Sequence, residues 1–156
     1  MKINTGIPDN HLQEVAVKLN KLLANELFLS MKTRNYHWNV EAPNFFELHK
    51  FFESQYNELD EIMDDVAERI RALGHHAEGS IKDLSLLTDL TEQPGTSDPK
   101  EQIQNLLNDQ DTITQQLRHL ITEFGETHKD LGSADFVTGL LRTHEKMAWM
   151  LRSFLK

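Results

Sequence analysis

The sequence has no cysteine, and it has no uninterrupted apolar run long enough to cross a lipid bilayer. The lack of cysteine excludes disulfide bonds, thiolate zinc sites and cysteine nucleophiles, although it does not fix the cellular compartment. The N-terminus also lacks an apolar segment of signal-peptide length. We therefore expect a soluble, cytoplasmic protein with no membrane-spanning segment.

Basic residues are scarce. The chain has 16 lysines and arginines against 25 aspartates and glutamates, which gives a net charge of −9. A surface of this charge repels the phosphate backbone of nucleic acids. The first residues carry a single lysine, Lys2, and so form no basic arm. We therefore expect DNA binding to be weak or absent.

The length and composition are those of one ordinary globular domain. The chain has 156 residues, of which 38% are hydrophobic and 26% charged. This length is sufficient to bury a hydrophobic core, and the composition shows no sign of disorder. We predict one domain over residues 1–156, with a short N-terminal tail over residues 1–8.

The first half of the chain carries two apolar repeats with helical spacing. The first repeat begins where Asp9 or Asn10 can cap a helix, and it extends to about residue 38. Asn44 is predicted to cap the second helix, and Gly74 to end it in the left-handed conformation. The break between the two repeats is short, so we expect an antiparallel hairpin.

The second half begins with an irregular connection and continues with two more helical repeats. Residues 75–97 lack a long repeat, but a short apolar piece predicts a small helix near 80–88. Asp98-Pro99 is predicted to start the third long helix, which Gly125 ends, and Ser133 to cap the fourth. No segment has the alternation of a β-strand. Two hairpins joined by a long crossover define an all-α four-helix bundle.

Residue types that ligate iron are concentrated between positions 37 and 68. Asp64 and Glu68 are four residues apart, so a helix places them on one face, about 6 Å from each other. His49 precedes Asp64 on the same predicted helix by roughly 22 Å. No single metal ion bridges that distance. Either the segment holds no metal site, or the histidines of one chain meet the carboxylates of another.

The histidines add a second feature to this segment. His37 ends the first predicted helix and His49 begins the second, so the hairpin brings both near one turn. Two histidines near a turn and an acidic pair on a helix face also arise by chance, so both alternatives stay open. An intrasubunit di-iron site of the Glu-x-x-His type is excluded, because none of the eight histidines follows an acidic residue by three positions. His144 lies on an apolar stripe and is predicted to be a hydrogen-bonded core residue.

These residues belong to a longer series of motifs. The series comprises His37-Trp38-Asn39, Pro43-Asn44-Phe45, His49, Asp64, Glu68-Arg69, Ala72-Leu73-Gly74 and Trp149-Met150-Leu151. Together they resemble the Dps family of miniferritins, and the resemblance covers nearly the whole chain. It implies a ferritin-like four-helix bundle, with a short extra helix between helices two and three, that assembles into a homododecamer of tetrahedral symmetry.

The resemblance also implies a metal centre. Its ferroxidase sites lie between two-fold-related subunits, so that His37 and His49 come from one chain and Asp64 and Glu68 from its partner. A further acidic ligand occurs in the family four residues after the second histidine, often as aspartate. In this chain that position is Glu53. It is expected to bind the second iron with a side chain longer by one methylene.

The implied activity is oxidation of Fe(II), preferentially by hydrogen peroxide, and storage of ferric oxyhydroxide inside the shell. Trp38 is a candidate electron donor when only one iron is present, and packing in a subunit interface is the alternative. A DNA-compacting protein without dominant iron chemistry is the competing function, and the net charge disfavours it. The acidic residues that could line an iron-entry pore are Glu123, Glu126, Asp130 and Asp135.

Overall fold

The computed structural model describes residues 3–156 and folds them into five α-helices with no β-strand. The helices are α1 (Asp9–Asn39), α2 (Phe45–Ala72), α3 (Ile81–Leu87), α4 (Pro99–Thr122) and α5 (Leu131–Phe154). A π-helical turn, Glu123–Thr127, directly follows α4. The all-α prediction and the short helix in the crossover are therefore confirmed. None of the helices described combines the length and apolarity needed to cross a bilayer. Lys2 lies outside the described residues.

The four long helices form two hairpins around one core. α1 packs along α2, α4 packs along α5, and the short α3 lies against α1. Each long helix contributes fully buried apolar side chains, such as Leu19, Phe52, Ile113 and Val137. Each buried side chain of this size contributes about 1.5–3 kcal/mol by leaving water, which outweighs the weak intrinsic stability of a single helix. The helical spacing of these residues is thus the main determinant of the bundle.

Several helix ends lie where the sequence predicts them. Gly74 follows α2 with φ of +85°, and a Cβ atom there would lie 3.0 Å from Cδ1 of Ile3. Both the conformation and the close approach favour glycine. Asp98 caps α4 by accepting a hydrogen bond from the Glu101 amide at 2.9 Å. Asn44 occupies the N-cap position of α2 as predicted, although its side chain forms no capping hydrogen bond.

Two other predicted ends were wrong. The N-cap of α1 is Pro8, and neither Asp9 nor Asn10 provides a cap. Asp9 instead lies in the first turn, where its negative charge interacts favourably with the helix dipole. Gly125 does not end the third long helix, because the chain continues through it as the π-helical turn.

The start of α5 also differs from the prediction. Asp130, not Ser133, is the N-cap, and its carboxylate accepts hydrogen bonds from the Ser133 amide and hydroxyl. Arg69 of α2 donates to the same carboxylate at 3.2 Å. Asp130 is therefore buried and fully engaged, which removes it from the acids that could line a pore. Glu126 and Asp135 are exposed.

A buried ion pair attaches the crossover to the bundle. The Lys32 ammonium lies 2.5 Å from Asp109 Oδ2 and donates to the Thr91 carbonyl at 2.7 Å. Burial raises the pKa of the Asp109 carboxyl, and the Lys32 ammonium opposes that rise. Lys32 belongs to α1 and Asp109 to α4, so the ion pair joins these two helices. The bond from Lys32 to Thr91 attaches the crossover to them. The crossover then forms one wall of a groove beside the end of α1.

Candidate metal centre

His37 and His49 lie side by side where the ends of α1 and α2 meet. Their ring centroids are 3.7 Å apart and their planes differ by 18°. Nδ1 of His37 lies 2.8 Å from the His49 carbonyl oxygen, and Nδ1 of His49 lies 2.9 Å from the His37 carbonyl oxygen. The structure thus brings together the two histidines that the sequence places near one turn.

The reciprocal bonds determine which nitrogen of each ring can bind a metal. A carbonyl oxygen only accepts hydrogen bonds, so Nδ1 of each ring carries the proton. In the neutral rings, Nε2 of His37 and Nε2 of His49 therefore carry the lone pairs. Metal-binding histidines usually hold their second nitrogen to a carbonyl or carboxylate in this way, because it fixes the tautomer and the ring orientation.

Aromatic side chains hold the histidine pair from both sides. The Phe45 ring stacks on His49 with centroids 5.0 Å apart, and the Tyr56 ring meets His37 edge-on at 5.2 Å. The Arg34 guanidinium lies 4.1 Å above the Tyr56 ring. Sequence reasoning missed Tyr56 as a neighbour of His37. Its position two helical turns after His49 is the signal that could have found it.

Asp64 and Glu68 lie on the exposed face of α2. Within residues 3–156 neither carboxylate forms an ion pair or a side-chain hydrogen bond. α2 is continuous from Phe45 to Ala72, so the axial distance from His49 to Asp64 stays roughly 22 Å. In this part of the chain no three histidine, aspartate or glutamate side chains converge closely enough to hold a metal ion. One subunit therefore holds two separate halves of the predicted site.

Glu53 lies one turn after His49, and its carboxylate forms an ion pair with Lys50. The Lys50 ammonium donates to Glu53 Oε2 at 2.6 Å. This hydrogen bond holds the pKa of the Glu53 carboxyl below its ordinary value, and the charge of Lys50 adds a smaller contribution in the same direction. Glu53 is thus an ionised carboxylate close to the histidine pair, and binding a metal would require it to leave Lys50.

Trp38 points into the groove formed by α1 and the crossover. The groove has a volume of about 660 Å³, and Met31, Ile81 and Leu90 also line it. The Trp38 side chain is 59% exposed. Its ring stacks on neither His37 nor His49 in the described chain. An exposed indole beside an apolar groove is typical of a residue that packs against another protein surface.

A four-helix bundle with one long crossover is the architecture of ferritin-like proteins. Residues 16–156 match the family model for ferritin, described as the ferritin-like domain. The matched region contains all four long helices except the first turns of α1. The class of protein is therefore established over most of the chain.

Similar proteins narrow this class. The DNA protection during starvation protein of Brevibacillus brevis is 32% identical over 144 residues, which are 92% of this chain and 96% of that protein. An uncharacterized low temperature-induced protein of Nostoc sp. is 39% identical over 156 residues, covering 99% of this chain and 87% of that protein. The chain belongs to the Dps family of miniferritins, whose general role is iron storage and stress protection.

A solved structure agrees with this assignment. The Dps protein of Vibrio cholerae O1 is described as a member of a broad superfamily of ferritin-like diiron-carboxylate proteins. It superimposes with a TM-score of 0.93 at 32% sequence identity, covering 100% of this chain and 98% of that chain. The fold therefore agrees over the whole length of the chain.

Proposed function

We propose that this protein is a ferroxidase and iron store, which oxidises Fe(II) preferentially with hydrogen peroxide and keeps ferric oxyhydroxide inside a homododecameric shell. The observation that carries the proposal is that the histidine pair and the carboxylate pair lie far apart on one subunit. His37 and His49 each hold Nδ1 to a backbone carbonyl and leave Nε2 free, while Asp64 and Glu68 lie roughly 22 Å further along α2 with no side-chain partner among residues 3–156. In a two-fold interface, every contact between a residue of one subunit and a residue of the other occurs twice, with the two subunits exchanged. The histidines of each subunit can therefore meet the carboxylates of the other.

The donor set suits this chemistry. Imidazole nitrogen and carboxylate oxygen bind iron in both oxidation states, and the negative charge of Asp64 and Glu68 favours the ferric state. Two Fe(II) ions each give one electron to one hydrogen peroxide, which yields two Fe(III) and two hydroxide ions. Because both electrons reach the same peroxide, no hydroxyl radical is released. Glu53 is the proposed additional ligand of the second iron.

Trp38 has two possible roles in this proposal. As an electron donor it would supply the second electron when a single iron meets peroxide. As an interface residue it would pack its exposed indole against the neighbouring subunit. The open groove beside Trp38 and the absence of stacking on His37 support the second role, and we propose interface packing as its main contribution.

Oxidation at two irons per peroxide with little radical release is the expected result of a direct test. The protein is loaded with Fe(II) without oxygen and then receives half an equivalent of peroxide. Ferric absorbance measures oxidation, and a spin trap measures hydroxyl radical. The His37→Ala/His49→Ala variant is the control for iron outside the centre. A radical yield equal to that of free iron would refute the proposal.

Replacement of Lys50 is expected to tighten binding of the second metal ion. In Lys50→Met the Glu53 carboxylate no longer has to leave an ammonium group, so we expect a severalfold gain in affinity. Anaerobic Co(II) titration, which avoids oxidation, measures this affinity. The matched control is Lys146→Met, an exposed lysine on α5. Equal affinities in the two variants would show that Glu53 is not a ligand.

DNA compaction is the second candidate function, because several relatives are named for DNA protection. The net charge of −9 argues against it. We expect no compact complex with plasmid DNA at neutral pH and moderate salt, because attraction to phosphate groups requires clustered lysines and arginines. An electrophoretic mobility assay tests this. Retention of the plasmid as a discrete, salt-sensitive complex would reopen this function.

A further inference from the structure

A second group of metal-binding residue types lies where the start of α1 meets the turn after α4. His11 belongs to the first turns of α1, Glu123 begins the π-helical turn, and His128 follows that turn. The His11 and His128 rings meet edge-on with centroids 5.4 Å apart. Nε2 of His128 lies 3.5 Å from Oε1 of Glu123. This cluster shares no residue with the centre at His37 and His49.

His128 is the most unusual member of the cluster. It is 6% exposed, yet neither of its ring nitrogens has a hydrogen-bond partner among the described residues. A buried polar group without a partner is costly, and in native proteins such a group needs an explanation. The approach to Glu123 is too long for a normal hydrogen bond. A ligand that bonds to Nε2 would offset this cost.

His11 is prepared for metal binding in the same way as the first histidine pair. Its Nδ1 lies 3.1 Å from the His128 carbonyl oxygen, so Nδ1 carries the proton and Nε2 keeps its lone pair. The backbone here is unusual as well. Lys129 has φ of +58°, and the preceding turn is π-helical. Both features are rare in ordinary connections and are enriched at functional sites.

We propose that His11, Glu123 and His128 bind a divalent transition metal ion, at a site distinct from the ferroxidase centre. Two imidazole nitrogens and one carboxylate are a donor set suited to Zn(II), Co(II) and Fe(II). The side chains do not yet converge closely enough to coordinate one ion. Glu123 is only partly buried, so rotation of its side chain can close the site around His128 while His11 keeps its hydrogen bond to the His128 carbonyl.

Lys18 is the competitor of the ion in this proposal. Its ammonium lies 3.5 Å from the same Glu123 oxygen, and its side chain is 41% exposed. A bound ion has to displace this ammonium into solvent. Removing the lysine charge should therefore strengthen metal binding, whereas an ordinary surface ion pair would show no such link. Lys18→Met separates the two possibilities.

The test uses the assembled protein with the first centre removed by alanine at His37, His49, Asp64 and Glu68. Co(II) alone is the probe, and its visible absorption reports coordination by nitrogen and oxygen. We expect one Co(II) per chain. Glu123→Gln should weaken binding at least about tenfold, and Lys18→Met should tighten it severalfold. The matched control is Glu126→Gln, an exposed glutamate in the same turn.

Two further variants distinguish the loss of a metal ligand from a loss of folding. His11→Gln changes a partly exposed ligand, and His119→Gln changes an exposed histidine outside the cluster. We expect the first to weaken Co(II) binding and the second to leave it unchanged, with equal helix content by circular dichroism in both. The proposal is wrong if the background protein shows no Co(II) absorption. It is equally wrong if Glu123→Gln and Glu126→Gln bind alike, or if Lys18→Met has no effect.

Discussion

Subunits that lack the histidines and subunits that lack the carboxylates are expected to restore each other's ferroxidase activity when refolded together. The two parents are His37→Ala/His49→Ala and Asp64→Ala/Glu68→Ala. Each parent alone should lose activity at least about 100-fold, because every centre misses two ligands. In a mixed two-fold pair, one of the two centres combines the intact histidines of one subunit with the intact carboxylates of the other.

The size of the recovery follows from the symmetry. With equal amounts and random assembly, half of the two-fold pairs are mixed and one centre in each mixed pair is complete, so roughly a quarter of the wild-type activity returns. The initial rate of ferric absorbance per subunit measures this fraction. Parents refolded separately and then combined are the control, since no subunits exchange. A co-refolded mixture as inactive as its parents would refute the shared centre.

The long-range features of the fold were more predictable than its local ends. Apolar spacing alone predicts the four long helices, because burial of their stripes dominates the stability of the bundle. The cap of α5 shows the limit. Asp130 and Ser133 are three residues apart and both are good capping residues, so local sequence does not choose between them. In the folded bundle Arg69 of α2 donates to both side chains, and Asp130 is the one that also accepts a hydrogen bond from the Ser133 amide.

The candidate metal centre also has one part that the sequence predicts and one part that only the folded bundle determines. The proximity of His37 and His49 could be predicted, because a hairpin turn brings together residues on either side of it. The reciprocal bonds to backbone carbonyls could not, because they depend on the angle at which α1 and α2 meet. The proximity of His11 and His128 could not be predicted from the sequence either. They are 117 positions apart, and neither occurs in a recognisable metal-binding motif.

A buried contact between two polar side chains in the middle of the bundle is the basis of the second large effect. Glu26 of α1 and His144 of α5 are both fully buried, and Glu26 Oε1 lies 3.0 Å from His144 Nε2. Nδ1 of His144 lies 2.7 Å from Oε1 of Gln110 on α4. His144 is therefore the hydrogen-bonded core histidine that the sequence predicts. Glu26 escaped prediction because it is a charged residue between the apolar positions Leu22 and Leu29, where spacing alone indicates an apolar side chain.

Removal of His144 is expected to destabilise the protein by about 3–5 kcal/mol, because His144→Leu replaces the imidazole nitrogen beside the buried Glu26 carboxyl with an apolar group. The double variant Glu26→Met/His144→Leu should recover most of this loss, since it removes both polar groups together. Arg118→Met, which breaks the exposed pair with Glu145, is the control and should cost less than about 1 kcal/mol. Urea denaturation at one fixed subunit concentration compares all variants, because assembly contributes to the measured stability. Equal losses in the single and double variants would mean that packing around His144, rather than its partnership with Glu26, stabilises the core.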